Sequence, residues 1–139
     1  MHSPFVYDLI TKCFYNNEKL AAYTFINTYR NELLQNNKTI EVTDFGAGSR
    51  VFKSNTRKIT AIAKTAGITT KRAQLLSRLS RYFNFNTALE LGTSLGIATS
   101  AIAFGNKNTH VTTVEGCPET SKIAQEQFIC WDDTLGIDT

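Results

Sequence analysis

The 139-residue chain lacks any apolar run near the 18 or so residues that a membrane span requires. It also lacks the basic head and apolar stretch that a secretory signal peptide shows at the amino terminus. Hydrophobic residues make up 42% of the chain and charged residues 19%, as in ordinary soluble proteins. We therefore expect a cytoplasmic protein with no membrane partner. Its length is that of one domain.

Cysteine and histidine are scarce and scattered. The three cysteines, Cys13, Cys117 and Cys130, are odd in number and irregularly spaced, without a nearby histidine pattern. This spacing favours reduced thiols over disulfides or a zinc site. The two histidines, His2 and His110, are isolated, so we expect no metal site.

Acidic residues are absent between Phe45 and Leu89, whereas nine basic residues lie in this stretch. The stretch therefore carries a formal charge of +9, and the remaining chain, with six basic and twelve acidic residues, carries −6. A basic cluster attracts phosphates, and the aromatic residues Tyr82, Phe83 and Phe85 lie beside it. Nucleic acid is therefore an alternative partner. Because no nucleic-acid motif accompanies the scattered charges, a solvated surface, or one facing an acidic substrate, is favoured.

Residues 1–86 read as a mostly helical segment with one short strand. Ser3 and Pro4 are typical of a helix start, and the predicted helices cover about residues 4–15, 18–35, 58–66 and 70–83. We expect the first two helices to cover the domain or to mediate dimerisation, with a substrate lid as the alternative. Residues 39–45 alternate like a strand and lead into Gly46-Ala47-Gly48-Ser49, which mimics a ligand loop. No apolar helix follows this loop, so it is not the favoured site.

Residues 87–139 begin with a βαβ unit. The pattern predicts a strand at 87–91, an apolar helix at about 95–104 and a second β-branched strand at 110–115. Because such units cross over right-handedly, the carboxyl ends of both strands meet at the same edge of a parallel sheet. Ligands of open α/β sheets bind at that edge.

The loop between the first strand and the helix indicates the kind of ligand. It reads Glu90-x-Gly92-x-x-x-Gly96, not the G-x-G-x-x-G of a dinucleotide site, and it has no lysine, which excludes a Walker-type loop. Gly92 permits a tight turn and a close approach of the ligand. Glu115 ends the second strand 23 residues after Gly92, where this architecture hydrogen-bonds a ribose diol.

These residues carry a resemblance to a known family. The stretch Ala88-Leu89-Glu90-Leu91-Gly92-Thr93-Ser94-Leu95-Gly96, followed by Val111-Thr112-Thr113-Val114-Glu115, resembles the first two motifs of class I S-adenosylmethionine-dependent methyltransferases. Its Glu-Leu-Gly-Thr form is most similar to the small-molecule O-methyltransferases of the catechol and caffeoyl-CoA type. Residues 1–5 and 44–49 also resemble parts of an uncharacterised bacterial branch of that family.

The resemblance implies a Rossmann-like α/β methyltransferase fold with S-adenosylmethionine as cofactor and a small-molecule methyl acceptor. The loop would wrap the methionine part of the cofactor and Glu115 would bind the ribose hydroxyls. The implied cofactor-binding residues are Glu90, Leu91, Gly92, Thr93, Ser94, Gly96, Glu115 and Gly116. The family's later strands carry its catalytic residues, so residues 87–139 would be the first half of an incomplete cofactor-binding domain, and no catalytic residue is assigned.

An incomplete parallel sheet would leave its edges exposed, so we expect a homodimer that covers them. Three functions stay open at this point. The chain is a methyltransferase or its amino-terminal part, a non-catalytic cofactor-binding or dimerising fragment, or a basic nucleic-acid-binding protein.

Overall fold

The computed structural model describes residues 3–45, 53–131 and 137–139. In these ranges the chain forms a small mixed α/β domain with six α-helices, a π-helical segment and two small sheets. The elements in chain order are α1 (Pro4–Asp8), the π-helix (Leu9–Phe14), α2 (Ala22–Gln35), β1 (Thr39–Glu41), β2 (Thr56–Lys58), α3 (Ile59–Thr65), α4 (Thr70–Phe83), β3 (Thr87–Leu91), α5 (Ile97–Gly105), β4 (His110–Val114), α6 (Pro118–Trp131) and β5 (Ile137–Asp138).

Two of the predicted helix starts, those of α1 and α4, are marked by side-chain caps. Ser3 accepts a hydrogen bond from the Val6 amide at 3.4 Å, and Thr69 accepts one from the Arg72 amide at 3.4 Å. Such caps satisfy amides that have no partner inside the helix. The predicted helix over 70–83 is confirmed, whereas α2 begins about a turn later than the sequence predicts. Within the described ranges, no helix is both long and apolar enough to cross a bilayer.

A two-stranded antiparallel sheet interrupts the helices of the first segment. β1 pairs with β2, and Ile40 lies opposite Arg57. The sequence predicts β1 but not β2, because Thr-Arg-Lys has no apolar alternation. The Gly46–Ser49 loop that mimics a ligand loop lies outside the described residues.

The second sheet is parallel, in the order β3-β4-β5, and α5 connects β3 to β4 as the βαβ pattern predicts. Leu91 pairs with Val114, so both strands end at the same edge. β5 adds a strand that the sequence did not predict, with Ile137 beside Val111.

The two faces of this sheet differ in cover. The face toward α5 carries Ala88 and Glu90 of β3 and the buried Val111 and Thr113 of β4. The opposite face, here called the bare face, carries Leu89, Leu91 and Val114, which are 69%, 79% and 52% exposed. Among the described residues, this sheet is therefore covered on one face only, whereas parallel sheets usually have helices on both faces.

The main core joins both sequence segments. It includes Ile26, Tyr29 and Leu33 of α2, which pack with residues of α3, α4, α5 and α6. The Tyr29 hydroxyl donates to the Leu95 carbonyl at 2.9 Å, just before α5. α2 therefore covers the βαβ unit, and the described residues of the segments before and after residue 87 fold around one core.

Candidate cofactor site

The loop between β3 and α5 has a left-handed backbone at three positions. The φ angle is +95° at Gly92, +50° at Ser94 and +77° at Gly96. Glycine adopts this region freely, whereas a residue with a side chain, such as Ser94, pays about 1 kcal/mol or more. The Gly92 and Thr93 amides donate to the Val114 carbonyl at 2.8 and 3.3 Å, so the loop is tied to the end of β4.

Gly92 and Gly96 have different surroundings. A Cβ atom at Gly92 would meet nothing within 4 Å. A Cβ atom at Gly96 would lie 2.5 Å from the Phe128 ring and 2.6 Å from the Tyr29 hydroxyl. Gly96 therefore allows α2 and α6 to pack against the start of α5, whereas Gly92 faces open space through which a ligand can approach the backbone.

Glu115 joins the two loops that follow β3 and β4. Its Oε2 accepts from the Ser94 amide at 2.7 Å, and its Oε1 accepts from the Cys117 amide at 3.0 Å. A carboxylate offers about four acceptor positions, so each oxygen keeps capacity for a further donor. The half-buried Glu115 is thus fixed in orientation and can still accept hydrogen bonds from a ligand.

Glu90 lies on the covered face of the sheet. Its Oε2 accepts from the hydroxyls of Thr99, in α5, and Thr113, in β4, the latter at 2.8 Å. The Thr113 hydroxyl is also 2.6 Å from that of Thr93 in the loop. Through these hydroxyls, Glu90 therefore holds the loop and α5 against β4. Glu90 does not line the cavity that lies beside Glu115.

A cavity of about 330 Å³ lies beside Glu115 and Ser94. Its remaining wall comes from the β1–β2 region, α3 and the start of α6, and consists of Val42, Thr43, Asp44, Phe45, Arg57, Ile62, Ala66, Cys117 and Thr120. This volume falls at the lower end of small-molecule sites, which span about 300–1,000 Å³. The cavity can hold a nucleoside-sized part of a ligand.

The chain segment after β1 forms part of this cavity, although the lack of a following apolar helix argues against a ligand loop there. The Thr43 amide donates to the Cys117 sulfur at 3.3 Å, and Asp44 Oδ2 forms an ion pair with Arg57 Nη2 at 3.9 Å. The Phe45 ring lies 3.4 Å from the position of a Cβ atom at Gly116. The only sequence signal for these residues was the acid after β1, because β2, which positions Arg57, carries no apolar pattern.

Cys117 lies in the wall of the cavity and is 2% exposed. Burial raises the pKa of its thiol, but hydrogen bonds to the sulfur from the Thr120 hydroxyl and from the backbone amides of Thr120, Thr43 and Glu119 lower it by more. The pKa of Cys117 therefore lies below its ordinary value. Its sulfur is an acceptor that connects the β1 segment to α6.

The eight residues proposed from the sequence lie in five different surroundings. Ser94 and Glu115 line the cavity. The others occupy different places: Gly92 and Gly116 are exposed in the two loops, Thr93 and Gly96 are buried, Glu90 supports the loop, and Leu91 is on the bare face. In the part of the chain that the structure describes, no group of three or more His, Cys, Asp and Glu could hold a metal ion.

No protein-family model, curated protein or solved structure matches this chain. The sequence pattern and the geometry of the site are therefore the grounds on which a function can be proposed.

Proposed function

We propose that this chain is a class I S-adenosylmethionine-dependent methyltransferase of Rossmann-like fold, or its amino-terminal part, acting on a small molecule in the cytoplasm. The observation that carries the proposal is the position of Glu115. Its carboxylate is held by the Ser94 and Cys117 amides at the edge of a parallel sheet, next to a cavity. The two hydroxyls of a ribose diol would donate hydrogen bonds to the acceptor positions that remain on this carboxylate.

The other parts of the cofactor have complementary surroundings. The adenosine would enter the cavity, where the Phe45 ring offers a surface for stacking. The methionine part would pass over Gly92, where open space replaces a side chain. Glu90, Thr93 and Gly96 act in this proposal by holding the loop in shape.

The reaction requires little covalent chemistry from the protein. In the proposed reaction, an oxygen or nitrogen of the acceptor would attack the sulfonium methyl carbon in line, and the carbon–sulfur bond would break as the new bond forms. The electron pair of the broken bond would stay on sulfur, giving S-adenosylhomocysteine, and the proton of the acceptor group would pass to solvent. The main contribution of the protein is to position the two reactants.

The test is a calorimetric titration of the full chain with S-adenosylhomocysteine. Wild-type protein should bind saturably, and Glu115→Gln should bind about tenfold more weakly or worse, because hydrogen bonds to a charged group contribute about 1.5–3 kcal/mol. Glu119→Gln is the matched control: this exposed carboxylate lies two residues after Cys117, outside the cavity wall, and its loss should leave affinity unchanged.

A second variant separates loss of the site from loss of the fold. Gly92→Val adds a side chain in the open space, and it should abolish binding while circular dichroism shows the helical content intact. Wild-type protein that is folded but does not bind, or a Gly92→Val chain with full affinity, would overturn the proposal. Binding without methyl transfer to any acceptor would favour the alternative of a non-catalytic cofactor-binding module.

A further inference from the structure

Two adjoining cavities lie between the segment after the π-helix and the helices α2 and α4. Their volumes are about 710 and 400 Å³. Both are lined by Asn16, Glu18, Leu20 and Arg78, so the two cavities adjoin at these residues. We call these two adjoining cavities together the basic pocket, and each volume falls within the range of about 300–1,000 Å³ that is typical of small-molecule sites.

The basic pocket is at the opposite end of the domain from the candidate cofactor site. The Phe25 ring of α2 stacks at 5.3 Å on Phe104, near the end of α5, whereas Tyr29 bonds Leu95 just before α5 begins. α2 and α5 are therefore antiparallel. Leu20 and Tyr23, which line the basic pocket, lie beyond the end of α5 that is farther from the glycine loop. A ligand in the basic pocket would not occupy the cavity beside Glu115.

Positive charge dominates the basic pocket. Its described lining includes one acid, Glu18, and six basic side chains, namely Lys12, Lys19, Lys71, Arg72, Arg78 and Arg81. Glu18 pairs with Arg81 at 3.2 Å. Over residues 3–45, 53–131 and 137–139, the other five form no ion pair with a carboxylate. Five positive charges around a concave surface would raise the local concentration of anions.

Arg78 is fixed at the junction of the two cavities. Its Nε donates to the Cys13 carbonyl, and its Nη1 donates to the Tyr23 hydroxyl at 2.8 Å. An arginine has five N–H donors, so these bonds hold the guanidinium in place and leave donors for a ligand. A guanidinium with a fixed orientation suits the paired oxygens of a phosphate.

We propose that the basic pocket binds a small molecule that carries two or more phosphate groups. The amide side chains of Asn16, Asn17, Asn27 and Gln74 supply neutral donors for further oxygens. The concave shape favours a compact ligand, since a nucleic-acid strand requires a basic groove that follows its backbone. The proposal concerns a second site and does not depend on the proposed methyl transfer.

The test uses inorganic pyrophosphate as the probe, titrated calorimetrically into the full chain at constant ionic strength. Wild-type protein should bind saturably, and the double variant Lys71→Gln/Arg72→Gln should bind at least tenfold more weakly. Both residues are exposed, so the fold should be retained. The control Lys107→Gln/Lys122→Gln removes two exposed charges outside the pocket and should keep the wild-type affinity.

Three results would overturn the proposal. These are no saturable binding of pyrophosphate, an equal loss in the two double variants, and tighter binding of single-stranded oligonucleotides that increases with their length and falls steeply with salt. The last result would identify a nucleic-acid surface instead. Glu115→Gln should leave pyrophosphate affinity unchanged, which keeps this test separate from that of the cofactor site.

Discussion

Gly92 and Gly96 are four residues apart, yet their surroundings predict unequal effects of the same substitution. Alanine at either position must adopt a positive φ, at a cost of about 1–3 kcal/mol. At Gly96 the new methyl group also overlaps Phe128 and Tyr29, and overpacking adds about 1–3 kcal/mol. Urea unfolding should therefore show Gly96→Ala as clearly the less stable variant. Equal costs would mean that the contacts of Gly96 relax freely.

The sequence motif marks Glu90 as a cofactor-binding candidate but does not indicate which residues its carboxylate contacts. In β3 the side chains alternate, and Ala88 and Glu90 face α5 while Leu89 and Leu91 face away. The alternation of apolar and polar residues predicts that the leucines of a strand face the core. It therefore gives no indication that Glu90, and not Leu89 or Leu91, faces α5. The hydroxyls of Thr99 and Thr113 make this position tolerable for the acid, and that pairing exists only once the strand and helix have packed.

Among the secondary-structure elements, those with local signals were predicted best. α4 has a capping threonine and an amphipathic pattern, and β3, α5 and β4 follow the βαβ alternation of strand and helix. β2 and β5 have no such signal, because a three-residue polar strand and a two-residue strand exist only through pairing with β1 and β4. The cavity beside Glu115 depends on β1 and β2, and so its wall was not predictable from local pattern.

The contact between α2 and the start of α5 predicts a dependence of stability on alkaline pH. Tyr29 is fully buried, and burial raises the pKa of its hydroxyl above the ordinary value of 10.0. Above pH 10 the unfolded chain releases this proton while the folded chain retains it, so the free energy of unfolding falls as pH rises.

Tyr29→Phe should remove that part of the alkaline decline, while costing about 1–3 kcal/mol at neutral pH because the Leu95 carbonyl loses its donor. Urea unfolding at several pH values between 8 and 11 measures both effects. Tyr15→Phe, at a position that is 77% exposed, should keep the wild-type slope. If the free energy of unfolding of Tyr29→Phe fell with pH as steeply as that of wild type, the pKa of Tyr29 would not be raised by folding.

At the scale of the whole molecule, the bare face and the edge of β3 predict self-association. Within the described residues β3 pairs only with β4, which leaves the backbone groups of its other edge unpaired. Neither proline nor lysine protects β3, and its single charge, Glu90, lies on the covered face. Edge strands without such protection pair readily with another chain, and twofold symmetry would place β3 of one copy beside β3 of another.

We therefore expect wild-type protein to form a dimer in sedimentation equilibrium, which agrees with the homodimer expected from the sequence. Packing Leu89 and Leu91 against the paired strand of the other copy would bury part of their apolar surface, for up to about 1.5–3 kcal/mol for each side chain, so the double variant Leu89→Glu/Leu91→Glu should be monomeric at the same concentration. Ile129→Glu changes a residue on α6 that is 72% exposed and should leave the dimer intact. A wild-type protein that stays monomeric at high concentration, or a double variant that still dimerises, would show that β3 and the bare face do not form a dimer interface.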